Sequence, residues 1–393
     1  MGFPVTVPLP DPRVEIRGAA WLEESIDGLL PHRLPAWTRA QFPDAFMAMV
    51  ESQPSGVRLR FRTAARKADL DVRVLRVAVE PAQPGAPQPF DVRVDGVVVP
   101  QPAGVAEAAG VIALEPLAGT TVERPGPAGP VHLVLGGDGS VERDVEIWLP
   151  PGETVRLIAL GADAPVSAPR PVEAPRWVHH GSSISHGAGA ASALGAWPVV
   201  AAHAAGLDLV NLGFSGNAVL DPFVARAIRD QPADVITLKL GINVVNHDAM
   251  RLRAFVPAVH GFLDTIREGH PTTPLVVVSP LLCPLVETTP GPTSLDPADP
   301  SVFRTLGRPA EIANGKLSLT VIRSALAAVV ASRADEALTS VDGTSLYGWS
   351  DWDDLPMRDL MHPDAEAHRL IGKRFGAVLG DLLATAPGRQ PRS

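Results

Sequence analysis

After Pro175 the chain settles into a rhythm that few folds accommodate. Short apolar runs at Arg176 to His180, Leu207 to Leu212, Val235 to Leu240, Leu275 to Ser279 and Ala337 to Val341 are separated by longer stretches of helical character. Arg251 to Glu268 is one such stretch, and Ala365 to Leu383 closes the series. Apolar runs alternating with helices predict a parallel, doubly wound α/β sheet, because both faces of each strand must be covered. Ligands of such sheets sit beyond the carboxyl ends of the strands, so chemistry is expected there.

The chain ahead of this region reads differently. Val57, Leu59 and Phe61 alternate with Arg58, Arg60 and Arg62, the mark of a strand with one buried and one wet face. Leu70, Val72 and Val74 continue the pattern. Asp95-Gly96 between Val92–Val94 and Val97–Val99 predicts a hairpin, since Asp-Gly supplies the positive φ angles of a primed turn. Val131 to Leu135, Val145 to Leu149 and Val155 to Leu160 add short strands between turn-rich segments, a β-sandwich or jelly-roll pattern. Pro165, Pro169, Pro171 and Pro175 then mark a stiff, extended linker. The expected division is a β domain over 1–164, the linker over 165–175 and the strand–helix domain over 176–393.

Four blocks fall at strand ends or in the last connecting loop: W-V-H-H-G-S-S-I-S-H-G (Trp177 to Gly187), N-L-G-F-S-G-N (Asn211 to Asn217), L-G-I-N (Leu240 to Asn243) and D-L-M-H-P (Asp359 to Pro363). Acyl transfer needs a nucleophile, a base, an orienter for the base and donors for the oxyanion. Ser183 follows the first strand and would present its hydroxyl at a strand–helix turn. Ser182, Ser183 and Ser185 also suit a helix N-cap, and read alone the run is more simply a cap. Gly216 lets backbone approach a ligand closely or makes a turn. Asn243 can donate an amide hydrogen to an oxyanion or cap the next helix. Asp359 and His362 are three apart, which lets them meet within one helical turn, the carboxylate holding Nδ1–H and Nε2 taking a serine proton.

Together these blocks resemble those of the SGNH hydrolase superfamily, also called GDSL esterases/lipases, over roughly Pro175 to Leu383. The superfamily's Ser, Gly, Asn and His fall on Ser183, Gly216, Asn243 and His362, with Asp359 as third triad member. The resemblance implies a three-layer αβα, flavodoxin-like hydrolase domain that needs no metal or organic cofactor. Some two-domain carbohydrate esterases of the superfamily also carry a strand-rich domain ahead of the catalytic one. Two positions depart from the pattern: Ser182 stands where the family has Asp, and Val244 where an Asp often follows the Asn. Ser182 and Ser185 remain conceivable nucleophiles, and motif register favours Ser183. The expected reaction is hydrolysis of a small ester, such as acetyl on a sugar or secondary metabolite. Transfer to an alcohol acceptor and an inert scaffold are its rivals.

His179, His180 and His186 flank Ser183 without a metal-binding spacing, so no metal site is expected. His179 and His180 should alternate, one packed and one near the pocket; His247 either begins a helix or lines the cleft. Val286 to Arg308 is long and turn-rich for a βα connection, which points to substrate contacts or a lid. The net charge of −9 without a basic run excludes a nucleic-acid partner, and no apolar run reaches membrane-spanning length. The single cysteine, Cys283, suits a reducing cytoplasm. No signal peptide is visible, and the loose myristoylation match at Met1-Gly2 is read as chance. The expected partner is a small-molecule ester.

Overall fold

The computed structural model describes residues 3–79, 83–102, 104–115 and 120–385, so the Met1-Gly2 pattern lies outside them. The chain forms two compact units. One runs to Glu173 and takes in Ser192–Leu194; the other comprises Ala174–Ala191 and continues from Gly195.

The first unit is a sandwich of an eight-stranded and a six-stranded sheet, mostly antiparallel. Alternation builds its core: Leu59, Phe61, Val145 and Ile147 of the smaller sheet meet Leu70, Val72, Val74, Val155 and Leu157 of the larger. The arginines on the other face of Arg58–Thr63 are not simply wet. Arg58 is buried over the Trp148 ring at 4.6 Å, and Arg60 pairs with Glu15 at 2.5 Å. Strand charge is here satisfied by cross-strand carboxylates rather than by solvent. The hairpin forms as expected, Asp95 (φ 49) and Gly96 (φ 79) joining Asp91–Val94 to Val97–Val99. Within the Pro-rich stretch, Val166–Ser167 pairs antiparallel with Arg62–Thr63, and the carbonyl of Pro165 accepts from Thr63 Oγ1 at 2.8 Å.

The second unit holds a five-stranded, wholly parallel sheet. Its strands in chain order are Arg176–Gly181, Asp208–Gly213, Val235–Lys239, Leu275–Val278 and Leu338–Val341. Spatially the order is second, first, third, fourth, fifth, the flavodoxin-like arrangement whose switch point lies between first and third strands. The second, third and fourth strands are buried along their whole length, which is why they read as largely apolar runs. Helices Trp197–Ala205 and Ala365–Thr385 pack together; Leu252–Gly269 packs against both Pro222–Arg229 and Leu319–Ala331. Trp177, Trp197 and Phe375 interlock with ring centroids 5.4 to 6.4 Å apart. The Val286 to Arg308 segment is not irregular throughout: Thr293–Leu295 and Phe303–Thr305 pair as an antiparallel hairpin. Among the described residues no helix is long and apolar enough to cross a membrane.

Candidate active site

The first strand ends at Gly181, and Ser183 opens the short helix Ser183–His186. Ser182 precedes it without a side-chain capping bond; its hydroxyl is buried and, among the described residues, has no partner. Ser185 is also buried, its Oγ 2.8 Å from His179 Nε2. Of the three serines, Ser183 alone is partly exposed. Its Oγ lies 2.9 Å from His362 Nε2.

On its other side the His362 ring donates from Nδ1 to Asp359 Oδ2 at 2.6 Å. These residues meet through a tight turn, not through a helical turn as their spacing predicts. Asp359 Oδ1 accepts from the backbone N–H of Met361 at 2.9 Å and of His362 at 2.7 Å, and Leu360 takes the left-handed region (φ 67). A short carboxylate that bonds its own following backbone builds such a turn without helix. Burial pushes the Asp359 carboxyl up, but the hydrogen bonds from the His362 ring and the turn backbone outweigh it. It therefore sits below the usual carboxylate range, ionised and able to hold Nδ1–H.

Gly216 follows the second strand with φ 71, a conformation that favours glycine. His247 closes the helix Ile242–Asn246 instead of starting one, and its Nε2 donates to the Gly216 carbonyl at 2.8 Å. Asn243 is not the cap of that helix; Gly241 is. Asn243 Oδ1 accepts from Ala218 N at 3.1 Å, which fixes the amide with its NH₂ left to donate. Ser183 N–H, at a helix start, lacks an intrahelical partner. The three candidate donors thus leave the carboxyl ends of the first, second and third strands, which are neighbours in the sheet.

Beneath Ser183 lies a layer of buried polar side chains that sequence reasoning missed. His179 Nδ1 and Trp177 Nε1 both reach Thr237 Oγ1, at 2.6 and 2.9 Å, while Asn211 Nδ2 donates to the Ser185 carbonyl at 2.9 Å. Gly213 permits this closeness, since a Cβ there would stand 2.5 Å from His186 N. His179 and His180 are both fully buried, His180 stacked on Phe262 at 5.8 Å, so neither lines a pocket. Adjacent strand residues face opposite sides, and here helices cover both. Burial drives His179 well below its ordinary value and His368 to about 4. His368 Nδ1 accepts from Trp197 N at 3.1 Å and Nε2 donates to the Ala188 carbonyl at 2.8 Å. Lys239 is buried in the same layer, held down to about 8 by desolvation. Among the described residues no group of three or more His, Cys, Asp or Glu is placed to hold a metal ion.

Residues 175–282 match the GDSL-like Lipase/Acylhydrolase family. Among solved structures, the chain is similar to the salicylyl-acyltransferase SsfX3 from a tetracycline biosynthetic pathway. Identity is 28%, covering 98% of this chain and 99% of that one, with a TM-score of 0.77. A GDSL-like lipase candidate from Bacteroides ovatus ATCC 8483 is 18% identical over 97% and 98%, TM-score 0.68. A family two carbohydrate esterase from Clostridium thermocellum is 14% identical over 95% and 99%, TM-score 0.60. No curated protein sequence matches.

Proposed function

From the GDSL-like lipase/acylhydrolase domain that this chain carries, we propose a serine esterase that cleaves a carboxylic ester through an acyl-Ser183 intermediate. Ser183 Oγ attacks the ester carbonyl as His362 Nε2 takes its proton. Asp359 holds Nδ1–H and stabilises the imidazolium that forms. The N–H groups of Ser183 and Gly216 and the Asn243 amide receive the developing oxyanion. The alcohol leaves with the proton from His362, and water resolves the acyl-enzyme by the same steps in reverse. The observation that carries this reading is the continuous relay from Ser183 through His362 to Asp359, with contacts of 2.9 and 2.6 Å.

The acyl group proposed is small, such as acetyl on a sugar or a secondary metabolite. A cytoplasmic setting belongs to the same proposal and rests on the lone, buried Cys283. Fluorophosphonate labelling followed by peptide mapping tests the nucleophile. Label on Ser183, absent from Ser183→Ala, supports it; label elsewhere, or none, overturns it.

A second reading, acyl transfer to an alcohol, is favoured by the 28% identity to an acyltransferase along nearly the whole chain. Both use one acyl-enzyme and differ in what resolves it. Product analysis with candidate alcohol acceptors decides: acylated acceptor formed faster than free acid supports transfer.

A further inference from the structure

The hairpin Thr293–Thr305 reaches the acid–base turn at one residue, and it does so twice. The backbone N–H of Phe303 donates to the Asp359 carbonyl at 3.0 Å. The Phe303 ring stands across the His362 imidazole, centroids 5.8 Å apart and planes at 68°. Such an edge-to-face contact is attractive because ring edges are positive and ring faces negative. The base of the hairpin is itself fixed, Thr305 Oγ1 donating to the Pro290 carbonyl at 2.6 Å and Leu306 N to the Pro292 carbonyl at 2.8 Å. The turn it braces needs bracing: it is short, and Leu360 sits in a backbone region that costs a non-glycine residue energy. From the other side the Cys283 thiol donates to the Leu360 carbonyl at 3.3 Å.

We propose that Phe303 is a positioning residue for the acyl-transfer reaction, its ring walling the His362 imidazole so that Nε2 stays on Ser183 Oγ and its N–H anchoring the turn at Asp359. This rests on the esterase reading above. It also makes the Val286 to Arg308 segment part of the machinery rather than a detachable cover. The in-plane bonds to Ser183 Oγ and Asp359 Oδ2 do not by themselves stop the imidazole from rocking about the line joining them.

The test uses the full chain and the variants Phe303→Ala and Phe303→Tyr, with wild type and Ser183→Ala beside them. Turnover of a small activated acetyl ester gives kcat and KM, and proton NMR follows the low-field resonance of His362 Nδ1–H without substrate. Phe303→Ala should lower kcat about tenfold, leave KM within about threefold, and broaden the low-field resonance; Phe303→Tyr should restore all three. An unchanged kcat and resonance in Phe303→Ala overturns the proposal. A rise in KM alone also overturns it, making Phe303 a substrate contact. If Phe303→Ala loses its near-ultraviolet circular dichroism, Phe303→Leu takes its place with the same expectations. Equal turnover by wild type and Ser183→Ala would instead sink the esterase reading, and the resonance would still decide the positioning role.

Discussion

The two ends of the proposed proton relay are held in opposite ways. Ser183 rests on a floor of buried side chains from its own block and the adjacent strands: Ser185, His179, Thr237, Trp177 and Asn211. His362 hangs from a turn secured by backbone groups and by residues far away in sequence, Phe303 and Cys283. The floor is enclosed and its imidazoles are neutral; the turn is partly exposed and its carboxylate is charged. A nucleophile must be presented at a fixed angle, which rigid packing supplies. A base must pass a proton from one atom to another, which a braced but lighter support allows.

Loss of the hydroxyl itself should have the largest effect. Ser183→Ala is expected to lower turnover of an activated acetyl ester about 10⁶-fold while the melting temperature holds, since a partly exposed hydroxyl contributes little to packing. Wild-type turnover in that variant would remove the basis for treating Ser183 as an end of any relay.

Asn243 tests whether the floor extends to the donors. Asn243→Ala should lower kcat by about 10²–10³ with KM nearly steady. Asn243→Asp should be at least as impaired, because a carboxylate opposes the developing charge. Gly241 occupies the cap, so the stability cost of Asn243→Ala should be that of leaving the buried Ala218 N–H unpaired, about 1–3 kcal/mol. An active Asp variant beside a destabilised Ala variant would return Asn243 to a structural role.

The floor should also respond to acid before the turn does. His368 has a folded value of about 4, below its ordinary 6.5, so the unfolded chain binds its proton more readily. Its contribution is therefore fully present above pH 6.5, declines as pH falls, and is gone near pH 4. The cost at the acid limit is on the order of 3 kcal/mol. Denaturant unfolding of wild type and His368→Gln between pH 4 and 7 checks this: the variant should show the flatter dependence. Equal slopes would exclude His368 as the titrating group.

Lys239 gives the smallest expected effect and the opposite sign. Its ammonium is buried at a folded value of about 8 against the ordinary 10.5, so folding is penalised at neutral pH, and the penalty fades only between pH 8 and 10.5. Lys239→Met should stabilise the protein at pH 7 by about 1–3 kcal/mol. A destabilised variant would show that the floor needs its cation.

The same contrast explains what the sequence made legible. Strand rhythm predicts the parallel sheet because strands covered on both faces are mostly apolar, and Asp95-Gly96 predicts its hairpin because few residue pairs adopt both φ angles. The proposed Ser183, Gly216 and Asn243 stand out because each follows closely on the end of a strand. Arg58 was not legible as buried, since alternation says which side a residue faces and not what covers that side. The spacing of Asp359 and His362 suggested their meeting but named the wrong geometry, as a turn and a helix both bring residues three apart together. Phe303 was invisible. Its ring contact with His362 joins residues 59 positions apart with no shared pattern.

Cys283 has a practical consequence. Burial pushes its thiol up to about 12, and its Sγ is engaged with the Leu360 carbonyl, so it stays protonated and shielded from alkylating reagents in the native protein. Because the chain contains no other cysteine, it is already silent toward thiol-directed dyes without any residue being removed. One cysteine placed at an exposed position, such as Leu295 on the hairpin, would take a fluorophore alone. Hairpin motion and turnover could then be read from the same molecule.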